Sequence, residues 1–251
     1  MDTENKYGTL EIQQKLLVLL REFDSFCQNE EIKYSVMGGT LLGTIRHKGF
    51  IPWDDDLDVL VDRNNYNKLM QAIRNSNKLQ VGSYADNALW VDRISLIDEN
   101  RNDKVIMDLF IMDNCPDNAI FAKTKLLLIM LLQGMMKKNL SLEKGNLVLK
   151  ACSFVTYVLG KFFSNALKRK WYKSVSQWGN SQHTCKYKKL YNDQWKGLKL
   201  NYPIEIMTEI KRFPFESIEI NGLSHFDEYL HMAYGDYMTL PKVEDRVPQH
   251  H

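Results

Sequence analysis

Residues 36–60 read VMGGTLLGTIRHKGFIPWDDDLDVL, and the most constraining part of that run is the alternation of Asp54, Asp56 and Asp58. In an extended chain, side chains two apart share one face. A strand here therefore gathers three carboxylates at one spot and turns Leu57, Val59 and Val61 to the other side. Carboxylates that close repel and push one another's pKa up unless a cation lies among them. An all-oxygen donor set suits Mg²⁺ or Mn²⁺. Shortly upstream, Gly38 and Gly39 form a turn where backbone can approach a phosphate closely. A glycine turn followed by an acidic strand is the layout of a nucleotide-using, metal-assisted phosphoryl transferase. Asp55 points away from the triplet and is assigned to the loop backbone rather than to a cation. Trp53 reads as a packing wall.

The flanking sequence supplies elements to hold this run. Leu10 to Phe26 carry apolar residues at helical spacing, which predicts an amphipathic helix over 8–29. Ile32, Tyr34 and Val36 alternate as a half-buried strand. A short helix is expected over Leu41–Ile45, after the glycine turn. Asp62 is placed to cap a following helix that buries Tyr66, Leu69 and Ile73. Two further strands are expected over Trp90–Ile97 and Val105–Ile111, joined by a turn at Asn100 and Asp103. The second carries Asp108 between Met107 and Leu109. An acid in so apolar a strand needs a partner or a metal; Arg93 is the candidate partner. Near the end, a strand over Ser217–Ile220, a tight turn at Asn221-Gly222 and a helix over Asp227–Tyr234 are expected.

The 251 residues are 44% hydrophobic and 25% charged, a composition for one large folded domain, or a core domain with an insertion. Cys27, Cys115, Cys152 and Cys185 have no zinc or disulfide spacing and read as reduced thiols. The polar start of the chain has no signal-peptide pattern, so a cytoplasmic location is expected. Charge is unevenly spread. Residues 121–173 hold eleven Lys/Arg and one acid, Glu143, leaving 22 bases and 30 acids elsewhere. Within this segment FAKTKLLLIMLLQGMMKK and NLVLKACSFVTYVLGKFF are apolar and lysine-bordered, each too short or too interrupted to span a bilayer. KRKWYK follows, with Trp171 and Tyr172 suited to the headgroup level. The segment is expected to lie against an anionic membrane surface or lipid carrier, peripheral to the inner face of the cell membrane. The interleaved aliphatics fit lipid better than nucleic acid.

Phosphoryl transfer asks a protein for position and charge neutralisation. Asp54, Asp56, Asp58 and Asp108 are the candidate ligands for the cation, with Asp56, Asp58 and Asp108 as the catalytic acids. Asp108 is the candidate acceptor for the proton of an attacking hydroxyl. Gly38, Gly39 and Thr40 offer backbone N–H groups to a phosphate, and Arg46, His47 and Lys48 are placed to pair with a pyrophosphate or an anionic acceptor.

GGTLLGTIRHKGFIPWDDDLDV, together with DLFIMD at 108–113 and YGDYMTLP at 234–241, resembles the LicD family of phosphotransferases, which includes bacterial phosphocholine transferases and is related to fukutin-type proteins. The motifs touch residues 10–120 and 213–250 and leave the middle uncovered. The resemblance implies an α/β fold: a nucleotidyltransferase-like mixed β-sheet flanked by helices, with a helical basic and apolar insertion. The expected organisation is a catalytic core over 1–120, the insertion over 121–175, and a C-terminal part over 176–251 that completes the core. Carried over residue by residue, Gly38, Gly39 and Thr40 match the phosphate-binding turn, Asp56 and Asp58 the metal pair, Asp54 the acid before it and Asp108 the third-strand carboxylate. Arg46, His47 and Lys48 match the basic stretch, and Tyr234, Gly235 and Asp236 a late block beside the donor pocket. The stretch between Gly39 and Asp56 is longer than in ordinary nucleotidyltransferases.

The implied activity is Mg²⁺- or Mn²⁺-dependent transfer of a phospho-alcohol from a CDP-linked donor to a sugar hydroxyl. CDP-choline leads the candidate donors, ahead of CDP-ribitol and CDP-glycerol. The acceptor would be a cell-surface glycan such as capsule, lipopolysaccharide or teichoic acid, on a lipid carrier where the basic segment meets it. Two alternatives stand beside this: addition of an NMP to a small molecule at the same site, and a non-catalytic glycan-assembly partner.

Overall fold

The computed structural model describes residues 6–82, 90–97, 105–140, 147–180, 185–194 and 196–248. The chain forms two compact units. The first comprises 1–82, 93–112 and 202–251; the second comprises 83–92 and 113–201. The architecture is a mixed parallel and antiparallel sheet flanked by helices, as the sequence implies for an α/β protein.

The first unit opens with helix α1 (Leu10–Asn29), which buries Leu16, Leu19, Leu20, Phe23 and Cys27 along one face. Strand β1 (Ser35–Val36) is shorter than the alternation suggests, although Ile32 and Tyr34 are buried as expected. Helix α2 (Gly38–His47) starts three residues earlier than expected, so both glycines lie in its first turn rather than in a turn before it. Met37 is extended and Gly38 has φ +55°, which lets the chain swing from strand to helix within one residue. Strand β2 (Asp58–Asp62) leads directly into α3 (Arg63–Ile73), whose N-cap is Asp62, accepting from the Asn65 N–H at 2.7 Å. Then come β3 (Leu79–Gly82), β4 (Asp92–Leu96) and β5 (Met107–Asn114). The turn expected at Asn100 and Asp103 lies outside the described residues.

Among the described residues, seven strands follow the order β3-β4-β5-β2-β1, then β9 (Ile218–Leu223) and β8 (Ile210–Phe215); β6 (Tyr187–Leu190) and β7 (Tyr202–Pro203) lie off this path, and the short α7 (Ile204–Thr208) precedes β8. β2 pairs in parallel with β5 and antiparallel with β1. The expected Asn221-Gly222 turn is absent: both residues lie inside β9, opposite Arg212 and Lys211. Glu216, at φ +51°, and Ser217 connect β8 to β9 instead. Gly222 is small for packing, because a Cβ there would stand 2.8 Å from the Phe213 ring. Pro214 is tolerated because β8 closes the edge of this strand order. The last described α-helix of this unit, α8 (Phe226–Tyr234), is close to its expected span.

Among the described residues the second unit is built on three α-helices, α4 (Ala119–Met136), α5 (Leu147–Gly160) and α6 (Asn165–Ser176). Ile129, Leu132, Met135, Met136, Tyr172 and Val175 form its core, joined by Tyr191 and Leu198. Lys125 is fully buried, donating from Nζ to the carbonyls of Asn114 at 3.1 Å and Trp178 at 2.7 Å over the Tyr191 ring. Two expectations for this region are corrected. Helix α4, with 18 residues at mean hydropathy 1.5, is long and apolar enough to cross a membrane by length and composition, because the lysines that interrupt the run do not interrupt the helix. One face of it packs in the core just described. Tyr172 is not a headgroup residue: the helical period turns it inward with Lys168, and its hydroxyl donates to the Tyr191 carbonyl at 2.7 Å.

Candidate active site

The acids keep their alternation without a continuous strand. Asp54, Asp56 and Asp58 are half-buried, while Asp55, Leu57 and Val59, each one residue further on, are buried. Only Asp58 belongs to β2. Asp54 and Asp56 lie in an extended approach, closed by a turn in which the Asp54 N–H donates to the Ile51 carbonyl at 2.9 Å. On the β1 side the ladder does not extend backward to them, because β1 is only two residues long and the chain leaves it for α2. Its final bond there runs from the Met37 N–H to the Asp58 carbonyl at 3.1 Å.

Glycines bring backbone against these carboxylates. A Cβ on Gly39 would stand 2.7 Å from Asp54 Oδ2, and one on Gly38 would collide with Asp58 Oδ2. Thr40 is buried and accepts the Asp58 N–H on Oγ1 at 2.9 Å, so its hydroxyl fixes the start of β2. The Gly38 N–H donates to the Tyr229 hydroxyl at 3.2 Å. Asp108 is the register partner of Asp58 across the parallel β2–β5 ladder, so both side chains leave the same face. The expected partner is also there: Arg93 donates from Nε to Asp108 Oδ1 at 2.6 Å, and this guanidinium is buried.

Electrostatics single out Asp54. Burial first, then the Asp56 carboxylate beside it, push the Asp54 carboxyl up to about 8. The two acids share a hydrogen bond, which a protonated Asp54 donates. Two carboxylates that hold a proton between them are an all-oxygen donor pair of the kind a hard cation takes. Among the described residues no three His, Cys, Asp or Glu side chains form a ready-made metal centre. That is compatible with Mg²⁺, which is usually held by one or two carboxylates plus substrate phosphates. The residues present fit such an ion, with the Cβ-free floor of Gly38 and Gly39 leaving room against Asp58 and Asp54.

Arg46, His47 and Lys48 lie at the other end of α2 from the two glycines, and a helix rises 1.5 Å per residue. Arg46 donates to His47 Nε2 at 3.0 Å and to the Tyr237 carbonyl at 2.9 Å. Burial, then Arg46, pull the His47 imidazole down, so it is neutral at pH 7. His47 meets the Trp53 ring edge-on at 6.4 Å, and the Arg246 guanidinium sits over Trp53 at 5.4 Å. Lys48 is exposed and ends α2 in the left-handed region at φ +57°.

Several positioning residues come from far along the chain and carry no local signal. Gln13 on α1 donates to the carbonyls of Ile51 at 3.1 Å and Asp54 at 2.8 Å. Thr9 donates to the Pro52 carbonyl at 2.7 Å. Glu216, at the β8–β9 connection, accepts the Phe50 N–H at 3.0 Å, and its carboxylate occupies the space a side chain on Gly49 would need.

A sequence model of the family described as "LicD/FKTN/FKRP, nucleotidyltransferase domain" matches residues 31–114, the stretch that carries every acid of this site. The chain is 31% identical to the lipopolysaccharide cholinephosphotransferase LicD of Haemophilus influenzae, across 96% of both chains. It belongs to the LicD family. The match extends through the middle segment, which the sequence motifs alone left outside the resemblance. An uncharacterized protein of Rickettsia prowazekii is 25% identical over 42% of each chain. Another, of Rickettsia typhi, is 46% identical over 18% of this chain and 14% of its own.

Proposed function

We propose that this LicD-family protein transfers a phospho-alcohol, phosphocholine first among the candidates, from a CDP-linked donor to a sugar hydroxyl of a cell-surface glycan. The observation that carries the reading is the full-length relationship to a lipopolysaccharide cholinephosphotransferase. The carboxylates packed against Gly38 and Gly39 supply a site in keeping with it.

In this reading Asp56 and Asp58 would hold Mg²⁺ or Mn²⁺, with Asp54 beside them. Such a cation would supply positive charge to offset that of the donor's phosphates and of the departing CMP. The protein does the rest by position. Thr40 sets Asp58 and Gln13 sets the Asp54 backbone. Asp54 and Asp108 are the candidate acceptors for the proton of the attacking hydroxyl. Asp108, already engaged by Arg93, is the less available acceptor. Arg46 supplies fixed positive charge for a donor or acceptor phosphate.

The experiment is product analysis with Mg²⁺, CDP-choline and a lipopolysaccharide acceptor. Release of CMP with choline phosphate appearing on the glycan supports the reading. Pyrophosphate release from CTP, with no turnover of CDP-choline, CDP-ribitol or CDP-glycerol, would replace it by nucleotidyl transfer.

A further inference from the structure

Within the second unit, a cavity of about 460 Å³ opens where α4 and α5 end. Lys137, Lys138, Lys161 and Lys168 line it together with Tyr157 and Phe163, and among the described residues no acid does. Lys168 has a structural task. Its buried Nζ donates to the carbonyls of Met135 at 3.1 Å and Gly160 at 2.9 Å, the last turns of α4 and α5. It thereby satisfies the negative ends of both helices. Lys137 and Lys161 add two further positive charges to the lining. Lys161 lies over the Tyr157 ring at 4.5 Å and is exposed, and Lys137 is half-buried.

The cavity borders an apolar surface. Helix α5 packs its inner face closely on α4, where a Cβ on Gly160 would run into the Met135 backbone and one on Gly134 into Thr156. Its outer face shows Leu147, Phe154, Val155, Val158 and Leu159 to solvent, continued by Phe162, which is 78% exposed. These positions follow the helical period, so they form one stripe. Fourteen residues at 1.5 Å each reach about 21 Å, short of the ~30 Å hydrocarbon core. A helix of that length with an apolar outer face and cations at its end suits the plane of a membrane interface.

We infer that the lysine cavity at the ends of α4 and α5 receives the phosphate of an anionic phospholipid while the α5 stripe and Phe162 enter the bilayer surface. Charge complementarity selects the occupant: a lysine cavity beside an apolar stripe matches a phosphate beside acyl chains. In the KRKWYK run picked out from the sequence, two of the first three cations are engaged elsewhere. Lys168 is committed to two carbonyls, and Arg169 is paired with Asp92 at 2.6 Å. The inference does not rest on the proposed chemistry, since it concerns a separate unit.

The test is co-sedimentation of the full chain with phosphatidylcholine vesicles, with and without phosphatidylglycerol. Binding is expected only with phosphatidylglycerol, and it should weaken with salt. The double variant Lys137→Gln/Lys161→Gln should lose about 30-fold in partitioning, at the usual contribution of a lysine near an anionic surface. Phe154→Ser/Phe162→Ser should weaken binding while keeping the salt dependence. The control Lys33→Gln/Lys68→Gln, exposed lysines of the first unit, should bind as the parent does. Inorganic phosphate at millimolar concentration should not displace the protein from vesicles. Equal pelleting with neutral vesicles, no pelleting at all, equal loss in both lysine pairs, or full displacement by free phosphate would each overturn the inference.

Discussion

Asp54 lies so close to Gly39 that a Cβ on the glycine would stand 2.7 Å from the Asp54 Oδ2. Gly39 sits in the first turn of α2, where alanine is by intrinsic preference the better helix former by about 1 kcal/mol. The clash is with the tip of a side chain, which can swing away at little cost. Gly39→Ala should therefore leave the melting temperature unchanged or slightly raised while cutting turnover of CDP-choline at least tenfold. Full activity in a folded Gly39→Ala protein would detach Asp54 from the chemistry.

Asp56 and Asp108 should separate cleanly when each is made amidic. Asp56→Asn removes a charge that pushes against Asp54, so stability should rise or hold. Activity should fall by more than the 10–100-fold typical of losing an outer-shell partner of a metal. Asp108→Asn leaves the buried Arg93 without its carboxylate at 2.6 Å. Asp108 is itself 28% exposed, so the loss should be about 2 kcal/mol, below the range for fully buried pairs. Thermal denaturation beside the CMP-release assay distinguishes the two.

The Asp54 carboxyl also sets a pH dependence. Its folded value of about 8 stands above the ordinary 3.8, so the native state holds the proton longer than the unfolded chain. Without metal, that contribution to stability is whole below pH 4 and is lost as pH rises toward 8. The melting temperature of Asp54→Asn relative to the parent should therefore climb across that window. A cation must displace the shared proton, so Mg²⁺ affinity should increase up to about tenfold per pH unit below 8 and then level off. Calorimetry in two buffers of different ionisation heat would show the released proton.

Much of this site was legible because it is local. The period of two in Asp54, Asp56 and Asp58 survives in the burial of residues 54–59, although only Asp58 is in a strand. What chain-local reading misses is where a ladder stops. β1 is two residues long because the backbone turns into α2 at Met37, and nothing in the alternation of Ile32, Tyr34 and Val36 records that. Asn221-Gly222 has the composition of a tight turn, yet pairing with β8 and β1 claims it for β9. Tertiary contact outweighs local preference there. The Arg93–Asp108 pair was visible as an alternative. Tyr229 under Gly38 was not, because 191 residues separate them.

The same distance problem hides Gln13, whose amide holds the loop that carries Asp54. Its Nε2 donates to the carbonyls of Ile51 and Asp54, at 3.1 and 2.8 Å, so one side chain from α1 fixes both ends of the turn before the acids. Losing it should cost about 1–2 kcal/mol in stability, the usual net value of two such bonds. The larger effect should be on kcat, since the Asp54 carboxyl is then free to drift from the position it keeps against Gly39. Gln13 touches no proposed ligand, so KM for CDP-choline should change little. Gln13→Glu has the same length but no N–H to give, and should behave like Gln13→Ala. If Gln13→Glu kept the parent's kcat while Gln13→Ala lost it, packing rather than these two hydrogen bonds would be what positions Asp54.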